Sequence, residues 1–525
     1  MDLIYVINTL KPDIMQLLDW IIVILFLGAL TMIGFLFSRK NKNVEDYFLG
    51  GRSMPTWLVA FAAVGTSISA GTFVGAPQIA FDGNFTYIML SVGAIVGGLM
   101  AAYIILPALY KANTITIYGY LGNRFGDGAK TATSIMFLLG QLLTSGSRLF
   151  IAAIAVSVML YNDILFPNLI ASIVILGIVS TIYTMAGGIK GLIYIDTIQI
   201  LLVIGTGLVA IYLLFNAIPL SLGEIVNVLE NTESGNKLQV IDPKLSLTEP
   251  YNLIGALFAC AIFKFAQYST DQEFVQRQLT CKSVKKAASS LVYSQVISLP
   301  VVVIFMIIGS LLYVFYSRPE LLGATAPSDL LNDSRQVFPQ YMFNHMPTGV
   351  LGLMVVGLLA AALSSFNSAI NSMTSSLFSD LYLPWRQKRD KGTVKIKSEL
   401  KESRFLVVIM GIVLTAFAII AALMQEAGDQ SLVDFALGIM SFSYAGMLGI
   451  FLCAVLTRRG NVYSVIAALV TGCLVVLLLQ PGILGWWSTA LFGVPLKLAW
   501  PWWVVVGGSI SFLVCCVGKK KELVG

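Results

Sequence analysis

The sequence predicts an all-α integral membrane protein with thirteen transmembrane helices. Of its 525 residues, 57% are hydrophobic and only 11% are charged, and the mean hydropathy is +0.85. A soluble domain carries roughly 25% charged residues. Apolar runs of about 20 residues, the length needed to cross a bilayer, recur along the whole chain. The basic residues are concentrated in every second segment between these runs.

The apolar runs give the bounds of the predicted spans. Each run is long enough to cross the hydrocarbon core, and polar or turn-forming residues separate it from the next. The runs cover residues 17–37, 55–80, 85–109, 131–160, 164–185, 193–217, 251–270, 286–316, 348–384, 404–425, 431–457, 461–480 and 498–517. Because the number of spans is odd, the two ends of the chain are expected on opposite sides of the membrane.

Lysine and arginine determine the predicted orientation. With the N-terminus outside, the cytoplasmic segments hold 25 of the 33 basic residues, including the cluster at 386–404, and the outer segments hold six. Cytoplasmic loops of membrane proteins carry an excess of these residues. We therefore expect an outer N-terminus and a cytoplasmic C-terminus. The first apolar run, which begins near Leu17, is too long for the core of a signal peptide, so it is expected to remain as a span.

Several classes of protein lack their sequence signatures here. The six cysteines have no metal-ligand spacing, and the single histidine, His345, leaves no basis for a histidine metal site or a catalytic triad. The sequence has no GxxxxGK[ST] phosphate loop, no attached catalytic or signalling domain, no paired nucleophile and base within a span, and no channel-type filter loop. An enzyme, an ATP-driven pump, a channel and a sensor are therefore disfavoured, and no nucleic-acid partner is expected.

The second predicted span has an unusual density of glycine and hydroxyl residues. Such a composition allows a helix to unwind and frees carbonyl oxygens to bind a cation or solute. Close packing of small residues between helices is the alternative. The residues concerned are Gly65, Thr66, Ser67, Ser69, Gly71, Thr72 and Gly75.

The ninth predicted span carries a stripe of small and hydroxyl residues. Ala361, Ser364, Ser365 and Ser368 follow the spacing i, i+3, i+4, i+7 and therefore share one helix face. Neutral oxygen ligands suit a hard cation such as sodium. The alternative is that these hydroxyls only hold helices together.

Three charged residues fall within or beside predicted spans. Asp196 could anchor the sixth span at the membrane interface, bind an ion, or pair with Lys190. Lys264 is close enough to the cytoplasmic side for its stem to snorkel. Arg148 lies in the middle of the span predicted at 131–160. It therefore needs a buried acid, a set of carbonyls, or an anionic ligand in a water-filled cavity.

Six motifs, in order along the chain, resemble the sodium:solute symporter family. The most similar pattern within it is that of bacterial sodium-coupled sialic acid transporters. The motifs are DYFLGGRSMP, TIYGYLGNRFG, YTMAGGIKGLIYIDTIQ, TDQEFVQRQL, MPTGVLGLMVVGLLAAALSSFNSAINS and LGIFLCAVLTRRGN.

The resemblance implies a LeuT-like five-plus-five inverted repeat with one extra N-terminal and two extra C-terminal helices. Solute and ion sites of such folds lie at the membrane midplane, beside interrupted helices. The seventh span has no glycine or proline near Lys264, so a break there is not signalled. The implied units are an extra helix and loop at 1–54, a first repeat at 55–217, an outer loop at 218–250, a second repeat at 251–457, and C-terminal helices at 458–525.

The resemblance also implies sodium ligands. The main site would use the backbone carbonyls of Gly65, Ile68 and Ala361. The hydroxyls of Ser364 and Ser365 would complete it. A second sodium would be bound by Asp196, Asn367 and Ser368. Asn367 stands where the family pattern has serine, which puts this second ion in question.

For the solute, the resemblance implies that Arg148 pairs with a carboxylate. The hydroxyls of Ser67, Ser69 and Thr72 would bind its polar groups. Ser91 and Lys264 stand where the sialic acid transporters have amides, and Gln267 completes the expected set.

The implied function is sodium-coupled symport of an organic anion, most simply sialic acid or a related acidic sugar, by alternating access. A monocarboxylate, a vitamin acid or a neutral sugar is the alternative. A neutral sugar would leave Arg148 in need of an internal acid, and the other mid-membrane spans offer no evident carboxylate except Asp434. A monomer in a bacterial inner membrane is expected.

Overall fold

The computed structural model describes most of the chain, and the regular structure of the described part is helical. Some of the basic residues that set the predicted orientation, Arg39 and Lys40 among them, lie outside it. The described residues are 15–38, 41–161, 163, 165–233, 235–317, 334–389, 396–425 and 432–519.

Nineteen helices are numbered here in chain order. In the first part of the chain they are α1 (Leu17–Ser38), α2 (Val44–Leu49), α3 (Thr56–Ser67), α4 (Ala70–Asp82), α5 (Phe85–Ala112), α6 (Ile117–Phe125), α7 (Asp127–Tyr161), α8 (Phe166–Ala217) and α9 (Leu222–Glu230). In the second part they are α10 (Ala261–Thr270), which continues a π-helical turn at Gly255–Cys260, α11 (Gln272–Leu279), α12 (Val284–Ser317), α13 (Val337–His345), α14 (Val350–Arg389), α15 (Ile396–Gln425), α16 (Leu432–Leu456), α17 (Val462–Leu478), α18 (Pro481–Phe492) and α19 (Trp500–Val517).

Among the described residues, nine helices are long and apolar enough to cross a membrane, or eleven if each of two bent pairs is one span. The difference from thirteen arises in two places. Helix α8 counts once although its 52 residues would extend about 78 Å, more than twice the thickness of the hydrocarbon core. The seventh predicted span, at 251–270, contains only the short α10 after its π-helical turn.

Gly188 divides α8 into two segments. Its backbone has φ 59° and ψ −169°, which is outside the helical region and favours glycine. A Cβ at this position would also lie 2.8 Å from the ring of Tyr47 and 2.9 Å from its carbonyl oxygen. The bend lies between the predicted fifth and sixth spans.

The second predicted span is broken, as its composition predicted. Helices α3 and α4 are bent by 62° relative to each other. Between them, Ile68 (φ −88°, ψ 102°) and Ser69 (φ −102°, ψ 175°) are extended. The prediction that this span unwinds is confirmed.

A second break, which the sequence did not signal, separates α10 from α11. Asp271 adopts φ −100° and ψ 117°, and its side chain caps α11 by accepting from the backbone N–H of Glu273 at 2.8 Å. All eight residues of α11 are buried. The bounds of the predicted spans at 251–270 and 286–316 place residues 271–285 outside the membrane. The structure instead buries α11 inside the bundle, where its polar side chains find partners; the Gln276 amide, for example, donates to the Phe48 carbonyl at 2.8 Å.

Helix α14 forms the centre of the described bundle. In its most apolar 18-residue window, 89% of the residues are buried, which is the largest share for any of the candidate spans. Its serine-rich part packs against α8 and against the end of α3 next to the break. The unwound stretch and the serine stripe therefore meet inside the protein.

Candidate ion and solute site

The end of α3 lies very close to α8 and α14. A Cβ built on Gly65 would be 2.9 Å from the carbonyl oxygen of Asp196 and 3.4 Å from the Ser364 hydroxyl. One residue on, the hydroxyls of Thr66 and Ser368 are 3.5 Å apart. Only glycine permits this approach at position 65, because any side chain would displace the backbone of α8.

Neutral oxygen atoms gather at this junction. Helical hydrogen bonding stops at the break, so the carbonyls of the last turn of α3, that of Gly65 among them, lie outside the helical ladder. On α14, the Ser365 hydroxyl donates to the Ala361 carbonyl at 3.0 Å. Ser364, Ser365, Ala361 and Ile68 are all buried. Of the five residues of the expected main sodium site, Gly65 and Ser364 meet across the junction of α3 and α14; Ile68 follows α3 at the break, and Ala361 and Ser365 lie on α14 beside Ser364.

Asp196 is paired with a buried cation outside the predicted site, Arg277. Its Oδ2 lies 2.7 Å from Arg277 Nη2, and both side chains are buried. Its Oδ1 accepts from the Ser364 hydroxyl at 2.7 Å. Lys190 pairs instead with Asp46, at 3.6 Å. Asp196 is therefore neither an interfacial anchor nor the partner of Lys190.

The residues of the expected second sodium site are occupied with other partners. Arg277 Nη2 also donates to the Ser368 hydroxyl, so one guanidinium joins Asp196 and Ser368. Asn367 accepts from the Thr184 hydroxyl at 3.2 Å and donates to the Tyr183 hydroxyl. A fixed positive charge thus lies between two of the three expected ligands, and the third contacts a different part of α8.

Arg148 has an internal acid. Its Nη1 lies 3.5 Å from Glu273 Oε2, with the Arg148 side chain 12% exposed and that of Glu273 fully buried. Its Nη2 lies 3.7 Å from the sulfur of Met440. The interpretation that the other mid-membrane segments offer no carboxylate except Asp434 is therefore wrong. Glu273 lies between two predicted spans, at 251–270 and 286–316, and so was not counted among mid-membrane carboxylates. The side chain of Asp434 is not among the described ones.

A second buried carboxylate lies next to Glu273. One amide nitrogen, Gln141 Nε2, donates to Asp271 Oδ1 at 3.0 Å and to Glu273 Oε2 at 2.9 Å. Asp271 Oδ2 also accepts from the Tyr444 hydroxyl at 2.6 Å. Glu273 Oε1 is buried and has no hydrogen-bond partner among the described residues. We call Arg148, Asp271, Glu273, Gln141 and Tyr444 the acid-pair cluster.

Lys264 is held inside the bundle. Its Nζ donates to Gln267 Oε1 at 2.9 Å and lies 5.9 Å from the centre of the Tyr268 ring. Lys264 also lies close enough to Arg148 for the two positive charges to repel each other. The ammonium group is bound by a buried amide, so snorkelling to the membrane surface does not describe it. Lys264, Gln267 and Arg148 belong to one region of the molecule.

The three hydroxyl residues expected to bind the solute lie at the helix break. Ser67, Ser69 and Thr72 are each partly exposed, whereas Thr66, Ile68, Ala70 and Gly71 beside them are buried. The Ser67 hydroxyl donates to the Ala63 carbonyl at 3.1 Å. Partly exposed hydroxyl residues therefore alternate with buried residues along the break.

Ser91 lies on a different helix. It is buried on α5, two residues before Gly93, which packs against the backbone of Ala256 and against Cys260. Helix α5 thus adjoins the segment that leads into α10, the helix that carries Lys264 and Gln267.

The comparisons with known proteins agree with one another. The model of the sodium:solute symporter family matches residues 47–472. The sodium/sialic acid symporter SiaT of Proteus mirabilis is 26% identical over 462 residues, covering 87% of this chain and 88% of that protein. The sodium/sialic acid symporter NanT of Aliivibrio fischeri is 28% identical over 466 residues, covering 88% and 87%.

The fold is also similar to a solved structure, that of a Na⁺-coupled sialic acid symporter in a substrate-bound outward-open state. The TM-score is 0.80 over 96% of this chain and 99% of that one, with 23% sequence identity.

Proposed function

The chain belongs to the sodium:solute symporter family, and we propose that it carries an organic anion, sialic acid or a related acidic sugar, together with sodium by alternating access. The observation that carries this proposal is the close approach of Gly65, in the last turn of α3 before the unwound stretch at Ile68 and Ser69, to Ser364 on α14. The two relatives compared above act on sialic acid according to their names.

Sodium binds first, at the junction of α3 and α14. The carbonyls of Gly65, Ile68 and Ala361 and the hydroxyls of Ser364 and Ser365 supply neutral oxygens, which suit a hard monovalent cation. Because these atoms come from both sides of the helix break, the ion fixes α3 against α14. This orders the nearby Ser67, Ser69 and Thr72 for the solute.

The solute then binds beside the break. Its carboxylate pairs with Arg148, which can form two parallel hydrogen bonds to it. Lys264 adds positive charge, and Gln267, Ser91 and the three hydroxyls bind polar groups. In the structure Glu273 already pairs with Arg148, so the solute must displace it. Rocking of one repeat against the other then exposes both cargoes to the cytoplasm.

The membrane arrangement that goes with this function has thirteen spans, with the N-terminus outside and the C-terminus in the cytoplasm. The bend at Gly188 supports counting α8 as two spans, and the break at Asp271 supports α10 with α11 as an interrupted one. Helices from 55 to 217 and from 251 to 457 would then form the two inverted repeats. A monomer in the bacterial inner membrane is the form that we propose.

The Arg148–Glu273 pair favours a second candidate, symport of a neutral sugar. An arginine that already has an internal carboxylate needs no anionic solute to balance its charge. In this case Arg148 would hold α7 against α11 throughout the transport cycle. The hydroxyl residues at the break would bind the sugar.

Thermal unfolding of the purified protein distinguishes the two candidates. The solutes are N-acetylneuraminic acid, lactate, biotin and glucose, each in sodium and in potassium, with wild type, Arg148→Ala and Arg148→Lys. We expect N-acetylneuraminic acid to stabilise the wild type only in sodium. The effect should vanish in Arg148→Ala and weaken in Arg148→Lys, because lysine keeps the charge but not the planar fork. Equal stabilisation of wild type and Arg148→Ala by glucose would favour the neutral-sugar candidate.

A further inference from the structure

The acid-pair cluster contains a carboxylate that the proposed function does not use. On the basis of that function, we propose that Glu273 is a proton-binding site. It takes up one proton when the solute's carboxylate draws Arg148 away, and the proton then travels with sodium and the anion. The ligand is thus a proton, and the further activity is proton co-transport.

The two carboxylates of the cluster differ in how well the protein stabilises their charge. Asp271 accepts from three donors: the Glu273 backbone N–H at 2.8 Å, the Gln141 amide at 3.0 Å and the Tyr444 hydroxyl at 2.6 Å. Glu273 accepts from Gln141 alone, at 2.9 Å, and its Oε1 is buried without a partner in the described part of the chain. The Asp271 charge is therefore stabilised by three hydrogen bonds, whereas that of Glu273 has one hydrogen bond and the Arg148 guanidinium.

The charged groups on the surrounding helices leave this assignment unchanged. Arg277 lies one turn along α11, but its guanidinium pairs with Asp196 and donates to the backbone carbonyl of Glu273, not to its carboxylate. Lys264 on α10 is bound to Gln267. The other titratable groups facing the cluster are Tyr444 on α16, Tyr118 on α6, whose hydroxyl donates to the Thr270 carbonyl, and Asp196 on α8. Arg148 is the cation paired with the Glu273 carboxylate in the described structure.

Displacement of Arg148 therefore changes the state of Glu273. A buried carboxylate without a cation, beside a second one that shares the same Gln141 nitrogen, is strongly disfavoured. It becomes neutral by forming one O–H bond with a proton from the outer solution. When the solute leaves toward the cytoplasm, Arg148 returns to Glu273 and the proton is released there. No other bond forms or breaks, and no electron is transferred.

Proton uptake would also explain how the membrane potential can drive the cycle. One sodium ion with a monoanion is electrically neutral. Arg277 lies where a second sodium was expected, between Asp196 and Ser368. A proton on Glu273 supplies the missing positive charge, so that each cycle carries one net charge inward and responds to voltage.

The test is calorimetry of N-acetylneuraminic acid binding to the purified full-length protein in sodium, in two buffers with different ionisation enthalpies. We expect one proton taken up per solute bound. We also expect Kd to decrease about tenfold for each pH unit that the pH falls, while the empty carrier keeps Glu273 ionised. The solute's own carboxylate stays ionised between about pH 6 and about pH 8, so it does not contribute to the change.

Glu273→Gln should abolish proton uptake and make Kd independent of pH. Asp380→Asn is the matched control, because Asp380 is also a buried carboxylate, bound by the hydroxyls of Thr116 and Ser134 away from the cluster. It should leave proton uptake at one per solute. Should Glu273→Gln fail to fold, the wild type still tests the inference, because binding without proton uptake would overturn it.

Binding of the acid by the wild type without proton uptake would overturn the inference and leave the proposed function intact. Proton uptake that persists in folded Glu273→Gln would also overturn it. If no acid binds and glucose binds equally well to wild type and Arg148→Ala, the proposed function fails, and the inference fails with it.

Discussion

Arg148 on α7 and Glu273 on α11 form an ion pair inside the bundle, with Nη1 and Oε2 3.5 Å apart. The pair exists because the chain breaks at Asp271, which places the polar helix α11 among apolar spans. Asp196 and Arg277 form a second such pair, at 2.7 Å. The described structure thus balances buried charges between α11 and its neighbours, and transport has to work against at least one of these pairs.

Removing one member of the first pair should destabilise the protein more than removing both. Glu273→Leu leaves Arg148 as an uncompensated buried charge, which costs about 3–5 kcal/mol, whereas apolar replacement of both residues costs much less. The cycle consists of the wild type, Arg148→Met, Glu273→Leu and the variant that carries both substitutions, compared by thermal unfolding in sodium-free buffer. Strictly additive effects would contradict the pairing.

The pair of Arg52 and Glu45 is the control for this cycle. Their atoms are 3.8 Å apart, and the Glu45 side chain is 57% exposed. Exposed pairs contribute about 0–1 kcal/mol. The same double replacement there should therefore show little interaction energy.

A hydroxyl deletion on α14 tests the proposed sodium site. Ser365→Ala should raise the sodium concentration for half-maximal stabilisation about tenfold, because one oxygen ligand of a cation is lost. Ser372→Ala is the matched control, since its hydroxyl donates to the Ala369 carbonyl at 3.1 Å, much as that of Ser365 donates to Ala361. Equal sodium titrations for the two variants would exclude Ser365 as a ligand.

The position of Arg277 predicts the number of sodium ions. With its guanidinium between Asp196 and Ser368, a second sodium would have to displace a fixed cation at short range. We expect solute uptake to depend hyperbolically on sodium, with a Hill coefficient of about one. The measurement is the initial rate of uptake against sodium concentration at saturating solute. A coefficient close to two would show that Arg277 leaves Asp196 during the cycle.

Packing between α5 and α10 should be sensitive to a single methyl group. A Cβ at Gly97 would lie 2.5 Å from the Ala261 carbonyl oxygen and 2.6 Å from the Phe265 nitrogen. Gly97→Ala therefore forces backbone movement, at about 1–3 kcal/mol, and shifts the helix that carries Lys264. Gly205→Ala, where nothing lies within 4 Å of the added atom, is the control. A lower midpoint of thermal unfolding is expected for the first variant only.

Composition and apolar periodicity predicted the helical membrane fold and the unwound second span. The break at Ile68 and Ser69 follows from local chemistry, because glycine and hydroxyl residues weaken the helix where it occurs. The stripe from Ala361 to Ser368 was likewise visible as one helix face. These features depend on neighbours in sequence, and helical periodicity reports such neighbours well.

The acid-pair cluster could not be predicted in this way. Its members come from α7, α11 with its N-cap, and α16, and the hydrogen bonds of Gln141 and Tyr444 to the two carboxylates span 130 residues or more along the chain. The polar run TDQEFVQRQ reads as a solvated loop unless one knows that its partners lie within the bundle. The partner of Asp196 was missed for the same reason, since Arg277 lies in this run and 81 residues away.

Uptake into proteoliposomes tests the central claim most directly. Labelled N-acetylneuraminic acid would be supplied outside, with an inward sodium gradient or the same gradient of potassium, for wild type and Arg148→Ala. Sodium-coupled transport of an acidic sugar predicts accumulation above the outside concentration in sodium alone, and none in the variant. Accumulation that is equal in potassium, or unchanged in Arg148→Ala, would contradict it.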